Sequence, residues 1–447
     1  MPSRDPLDDD SDSGRSTLGT LLADRRLWLM ALLGFFSGLP LPLSGFTFRL
    51  WLSEGGVSLA LIGLTANVGL AYSLKFLWAP VLDRAPPPGP FARLGRRRGW
   101  LIVIQLSLAA AAVLLALARP AVAPAAAIAA AGLVAFLSAS QDIVIDAWRI
   151  ETFPPRAQGA AMAAYVWGYR VALLISGAGA IAAAGRLGWH GALGAVAALA
   201  ALAQLVTLLA PEPEVARGDA VLRAVGRGPR ARWSARVRAR LQDAVVVPLQ
   251  DVLARPGAPT ILAFVALFKL GEAMAGVMTA PFYTHLGFNR AAIAVANGPL
   301  SLAAAFAGTA LGGWLVARIG VGRALLVTGW VQTVSMGMYL ILAASSGKVH
   351  VLAATVGIES FAEGMADAAF ITYLSGLCSP GYAATQYALL SSLAAIALRT
   401  VGGLSGFLAA ATGWTTFYAV AMFAALPAMA LMLRLLRRYP PTERVAA

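Results

Sequence analysis

Residues 211–256 read PEPEVARGDAVLRAVGRGPRARWSARVRARLQDAVVVPLQDVLARP, with nine arginines between 217 and 255. No other stretch of the 447 residues is as long and as basic. On both sides of it run apolar segments of about twenty residues, the length a helix needs to cross hydrocarbon. Six precede it, at 28–50, 59–82, 100–118, 124–147, 158–184 and 190–210. Six follow, at 259–284, 290–316, 324–344, 350–376, 384–411 and 415–436. The basic stretch thus divides the spans six and six, and the fold depends on whether the two sixes are copies of one another.

They echo each other. EGGVSLALIGL (54–64), after span 1, matches HLGFNRAAIAV (285–295), after span 7; in each, a helix-capping residue, Ser58 or Asn289, follows a Gly-apolar pair. Arg170 precedes Ser176-Gly177 by six residues, and Arg399 precedes Ser405-Gly406 by the same six. The turns after spans 2 and 8, APVLDRAPPPGPFARLGRRRG (79–99) and GGWLVARIGVGR (312–323), are both short and basic. Two parallel six-span repeats predict an all-α polytopic membrane protein, twelve transmembrane helices in two six-helix bundles related by a pseudo-twofold axis. The expected domains are a disordered tail (1–27), a first bundle (28–210), a linker (211–257), a second bundle (258–437) and a tail (438–447). Within the linker, RLQDAVVVPLQDVLAR (240–255) has apolar residues spaced for one face, which predicts an amphipathic helix along the membrane surface, kinked at Pro248.

Composition agrees. A mean hydropathy of +0.73 with 13% charged residues leaves too little polar side chain to coat a globule in water. The net charge of +14 could suit nucleic acid, but the arginines sit in short clusters between apolar runs and form no single basic face. They serve better as topology signals. With both termini cytoplasmic, the cytoplasmic segments hold 26 of the 35 Lys and Arg and the outer side five, Arg49, Arg119, Arg186, Arg290 and Lys348. The N-terminus, MPSRDPLDDDSDSGRST, is acidic and lacks the basic-then-apolar pattern of a signal peptide. Cys378 is the single cysteine, which excludes an intrachain disulfide and a cysteine-based metal site. No metal or cofactor is expected. An enzyme is disfavoured too: His190, His285 and His350 fall at outer ends of spans, and no phosphate-cradling glycine loop, HExxH or nucleophile elbow occurs.

The polar residues inside the spans point to transport, because a charge at membrane depth must face protein or water. In SASQDIVIDAWRIE (138–151), Asp142 and Asp146 share one face of span 4, with Lys75 at similar depth in span 2. Two carboxylates against one lysine leave one unmatched and able to exchange protons. In GIESFAEGMADAAF (357–370), Glu359, Glu363 and Asp367 make a stripe along span 10. Span 7 carries Lys269 and Glu272, and Arg170 and Arg399 sit at mid-span in repeat-related positions. A polar cavity lined by spans 1, 4, 7 and 10 is expected, with Pro40 and Pro42 breaking span 1 near its middle.

Read together, the islands GFFSGLPLPL (34–43), LKFLWAPVLDR (74–84), GRRRGWL (95–101), SASQDIVIDAW (138–148), FKLGEA (268–273), ATQYALLSSL (384–393) and GWTTFY (413–418) resemble the AmpG-type muropeptide permeases of the major facilitator superfamily. The similarity runs from about Leu32 to Tyr418. It implies proton-driven import of anionic sugar-peptides, the 1,6-anhydro-muropeptides, across a bacterial inner membrane, by a chain acting as a monomer in the lipid bilayer. Related importers of iron chelators and an acetyl-CoA transporter supply the alternative cargo. On this basis the proton-coupling candidates are Asp142, Asp146, Glu272, Glu363 and Asp367. The substrate-binding candidates are Lys75, Arg170, Lys269, Arg399, Gln141, Tyr72 and Tyr169. Asp83, Arg84, Arg96, Arg97 and Arg98 resemble the superfamily's loop 2–3 signature, which latches the cytoplasmic ends of the two halves; here Ala79-Pro80 replaces its leading glycine and PPPGP lengthens it. For coupling, Asp142 is expected to pair with Arg170, and Glu363 or Asp367 with Arg399.

Overall fold

The computed structural model describes residues 24–153, 158–213, 250, 253–345, 347–377 and 383–438. Among these there is no strand. The helices are α1 (Arg25–Glu54), α2 (59–84), α3 (Arg96–Leu117), α4 (Pro124–Thr152), α5 (158–187), α6 (189–209), α7 (Ala258–His285), α8 (Arg290–Ile319), α9 (Val321–Ala344), α10 (Val349–Gly376), α11 (Ala383–Thr412) and α12 (Trp414–Arg438).

By length and apolarity alone, nine helical stretches among the described residues could cross a membrane, against the twelve expected. The differences have local causes. The 59–84 run is cut into α-helical and 3-10 pieces, so its continuous apolar part, Leu59–Leu74, is short. The acids Glu359, Glu363 and Asp367 lower the apolarity of α10. α5 and α6 form one continuous helical stretch, Ala160–Leu209, in which Gly188 (φ 69°, ψ 170°) makes the turn between them.

The internal repeat is written in the backbone. Gly56 (φ 74°) precedes the cap Ser58, whose hydroxyl accepts from the Leu61 amide at 3.5 Å; Gly287 (φ 75°) precedes Asn289, which accepts from Ala292 at 2.8 Å. Gly95 and Gly320 open α3 and α9, and Gly188 and Gly413 open α6 and α12, all at positive φ. Only glycine adopts these angles without strain, so the same three turns recur in both halves.

As expected, α1 breaks at its prolines. Arg25–Gly38 is followed by Pro40–Ser44 and then Phe46–Glu54, with Gly45 non-helical (φ −113°, ψ −127°) between the last two. Two π-helical turns, Leu174–Gly179 in α5 and Ala296–Leu300 in α8, touch each other across the halves, and Gly298 leaves room for Ala178 there.

The apolar core shows how the halves meet. At the end marked by Glu54 and Arg290, one continuous cluster joins them, with Trp51 and Trp189 from the first half and Phe282, Tyr283 and Tyr418 from the second. At the opposite end the core is two separate clusters, one around Trp148 and Phe153 and one around Phe264 and Phe370. Small residues set the closest crossing between halves: Gly63 of α2 lies against Gly403 and Gly406 of α11, where any side chain would collide with backbone. The halves are therefore closed at the Glu54 end and apart at the other.

Candidate functional site

Between the halves lies a cavity of about 390 Å³. The broken middle of α1 supplies Leu41, Ser44, Gly45 and Arg49; α2 supplies Thr65, Gly69 and Tyr72; α7 supplies Glu272, Thr279 and Tyr283; α10 supplies Glu359, Ser360 and Glu363; α11 supplies Arg399. Asn297 and Ser301 of α8 and Tyr339 of α9 complete it. α1, α7 and α10 line it as expected, but α4 does not, and α2 and α11 take its place. α4 instead gives Asp142 to Ser37 of α1, inside the first half.

Asp142 sits inside the first half. Its Oδ1 accepts from the Ser37 hydroxyl at 2.5 Å, and the Tyr165 hydroxyl lies 2.7 Å from Ser37. Because Ser37 has one proton and gives it to Asp142, Tyr165 is the donor in the second bond, a short relay from α5 through α1 to α4. Tyr169 packs beside Tyr165 at 5.9 Å. Gln141 donates to the Phe36 carbonyl at 3.0 Å and does not reach the cavity. Lys75 is the cation whose charge acts on Asp142. The expected Asp142–Arg170 pair is absent: Arg170 lies over the Phe306 ring of α8 at 5.6 Å. Asp146, 44% exposed, pairs with Arg149 at 3.7 Å.

The second half holds a denser network. Lys269 Nζ lies 2.9 Å from Glu272 Oε2 and forms an ion pair with Asp367. Gln332 donates to Glu272 at 2.5 Å. Glu272 and Asp367 are therefore spoken for, while Glu359 and Glu363 have no ion pair among the described residues. The expected pairing of Glu363 or Asp367 with Arg399 does not form.

The charge distribution in the sequence assigns Arg49 to the outer side. In the structure α1 continues to Glu54, which places Arg49 more than a turn inside, on the cavity wall. The available signal was the apolar FRLWL around it. Tyr72 lines the cavity too, whereas Tyr373 packs on Phe264 in the core.

Of the loop residues, Arg97 is buried and pairs with Glu151 at 2.5 Å, and Arg96 approaches the same acid at 3.5 Å. Glu212 accepts from the amides of Arg97 and Arg98 at 2.8 and 2.9 Å, capping α3. These bonds all stay within the first half. The side chains of Asp83 and Arg84 lie outside the described residues, as do the 1–23 and 439–447 tails and nearly all of the expected 240–255 linker helix. At the closed end, Arg290 of α8 meets Glu54 of α1 at 2.5 Å, Trp189 donates to the same carboxylate at 2.6 Å, and Arg290 donates to the Ala184 carbonyl at 2.7 Å.

The chain matches the model of the Major Facilitator Superfamily over residues 30–398. It is similar to the anhydromuropeptide permease of Escherichia coli K12, 38% identical over 407 residues, covering 91% of this chain and 78% of that protein. It is also similar to the putative transporter AmpG 4 of Rickettsia conorii, 32% identical with 93% and 97% covered. Among solved structures it resembles a bacterial homologue of the human lysosomal transporter Spinster, in an inward-facing and occupied conformation (TM-score 0.65, 15% identity, 96% and 98% covered). The nucleoside transporter NupG is alike in fold (TM-score 0.64, 13% identity, 92% and 98% covered).

Proposed function

Since this chain belongs to the Major Facilitator Superfamily and, within it, to the anhydromuropeptide permease family, we propose that it is a proton-coupled importer of anionic sugar-peptides, the 1,6-anhydro-muropeptides, working by alternating access in a bacterial inner membrane. Residues 28–210 and 258–437 act as the two six-helix bundles, twelve crossings in all, in a monomer with both termini cytoplasmic. The distribution of Lys and Arg puts the Arg97–Glu151 end in the cytoplasm and the Glu54–Arg290 end outside. On that orientation the conformation described is open to the cytoplasm.

The observation that carries this reading is the cavity, which lies between the halves and is lined by Arg49 and Arg399 alongside Glu359 and Glu363. A lipid-facing surface has no use for such groups, and a transported anion does. The proton carrier in this reading is Asp142, held by neutral donors from Ser37 and influenced by Lys75 in place of Arg170. Protonation from outside and release inside would alternately weaken and restore its attraction to Lys75, shifting α4 against α2. Glu359 and Glu363 are the second-half candidates.

The test is uptake of radiolabelled anhydro-muropeptide by right-side-out vesicles under an imposed pH gradient, beside an iron chelator and acetyl-CoA. Accumulation of the muropeptide alone supports the cargo; accumulation of either competitor instead replaces it. Asp142→Asn should abolish pH-driven accumulation and leave counterflow exchange measurable, and full accumulation in that variant removes Asp142 as the proton carrier.

A further inference from the structure

We propose that Arg49 and Arg399 form an anion clamp, one arginine from each half, which binds a carboxylate or phosphate-type group of the cargo at the closed end of the cavity. The proposal deepens the transport reading and rests on it for the cargo.

The two guanidiniums reach one cavity from α1 and α11, close enough that the charge of Arg399 acts on Arg49. Neither has an ion pair among the described residues, and Arg49 Nε is buried with no hydrogen-bond partner there. Like charges sharing a low-dielectric space without a counterion are costly, and an anion between them removes both the repulsion and the unmet donors. The acids of the same cavity do not fill this role. Glu272 is committed to Lys269 and Gln332, and neither Glu359 nor Glu363 forms an ion pair with Arg49 or Arg399 among the described residues. The arginine fork suits a carboxylate or phosphate in bidentate fashion. Gly69 gives Arg399 its seat, since a side-chain carbon there would occupy the space of the guanidinium.

The position of the clamp gives it a second effect. Arg49 is five residues from Glu54, whose bond to Arg290 holds the halves together. With the clamp empty, arginine repulsion opposes closure at that end; with an anion bound, the opposition disappears. Cargo is thereby selected by charge at the closing step.

The experiment compares wild type, Arg49→Gln, Arg399→Gln and Gly69→Ala, taking up radiolabelled anhydro-muropeptide as free acid or as its carboxamide. Wild type should import the free acid about tenfold faster than the carboxamide, a difference of about 1.4 kcal/mol. Each variant should lose about that factor on the free acid relative to the carboxamide, so that the preference between the two forms falls to about one. Gly69→Ala displaces the Arg399 side chain while leaving both arginines in place, so it decides the matter if a Gln variant does not fold. Variants that import the free acid at the wild-type rate, or that slow both forms equally, overturn the clamp. A second arm needs no cargo: sulfate replacing chloride at constant ionic strength should raise the melting temperature of purified wild type by about 3 °C more than that of the variants. Equal rises in all proteins also overturn it. If wild type imports neither form while the sulfate arm behaves as stated, the muropeptide reading fails and the anion clamp stands.

Discussion

Asp142 in the first half and Glu272 with Asp367 in the second face the same problem, an acid held inside an apolar bundle, and they are held in different ways. Asp142 has a serine and, behind it, a tyrosine, both neutral, with Lys75 acting from a distance. Glu272 and Asp367 share Lys269, and Gln332 steadies Glu272 from α9. An acid held by hydroxyls can gain or lose its charge without stranding a partner cation. An acid in an ion-pair network is tied to it, because protonating Glu272 or Asp367 breaks one of the two contacts that hold Lys269. The first arrangement suits a group that cycles, and the second suits a group that fixes three helices in place.

The largest expected effect separates these roles directly. Lys269→Met should cost about 3 kcal/mol, since it leaves Glu272, whose side chain is 18% exposed, without its cation, while Asp367, 39% exposed, is partly screened by solvent; Lys75→Met should cost less than about 1 kcal/mol. Thermal unfolding in detergent measures both, and equal losses would erase the distinction between the halves. Next in size, Ser37→Ala removes a hydrogen bond to a charged acceptor and should cost about 1.5–3 kcal/mol by the same assay at a pH where Asp142 is ionised. A smaller loss as the pH is lowered would show that Asp142 becomes protonated and needs its donor less. The smallest effect tests the repeat itself. Asn289→Ala should cost about 1 kcal/mol and Ser58→Ala about half that, because the Asn289 bond is 2.8 Å and the Ser58 bond 3.5 Å. Chemical unfolding of each variant against wild type reads the difference, and a reversed order would mean that cap geometry does not set these helix starts.

Much of the fold was legible because its signals are local. Apolar length marked the spans, glycine and a capping residue marked the matching turns, and Pro40 with Pro42 marked the break in α1. The site was legible only in part. The charged residues at depth were visible in the sequence, but which of them meet depends on how each helix is rotated about its axis, and sequence depth does not give that. Hence Arg170, level with Asp142 by count, lies instead over Phe306, and Asp142 turns to Ser37. Arg49 falls at the outer end of a span that stops at residue 50, as apolar length alone indicates, whereas the helix runs a turn further, to Glu54.

The paired wide turns in α5 and α8 carry one more consequence. Each π-helical turn, Leu174–Gly179 and Ala296–Leu300, holds a residue more than an ordinary α-helical turn, and the two are in contact. Passing that residue along the helix, as a ruck is passed along a carpet, would turn the rest of the helix by about 100° and advance it by about 1.5 Å while breaking few hydrogen bonds at a time. Two such slack points facing each other where the halves touch would let side chains on one side of the turn change neighbours while those on the other side keep theirs.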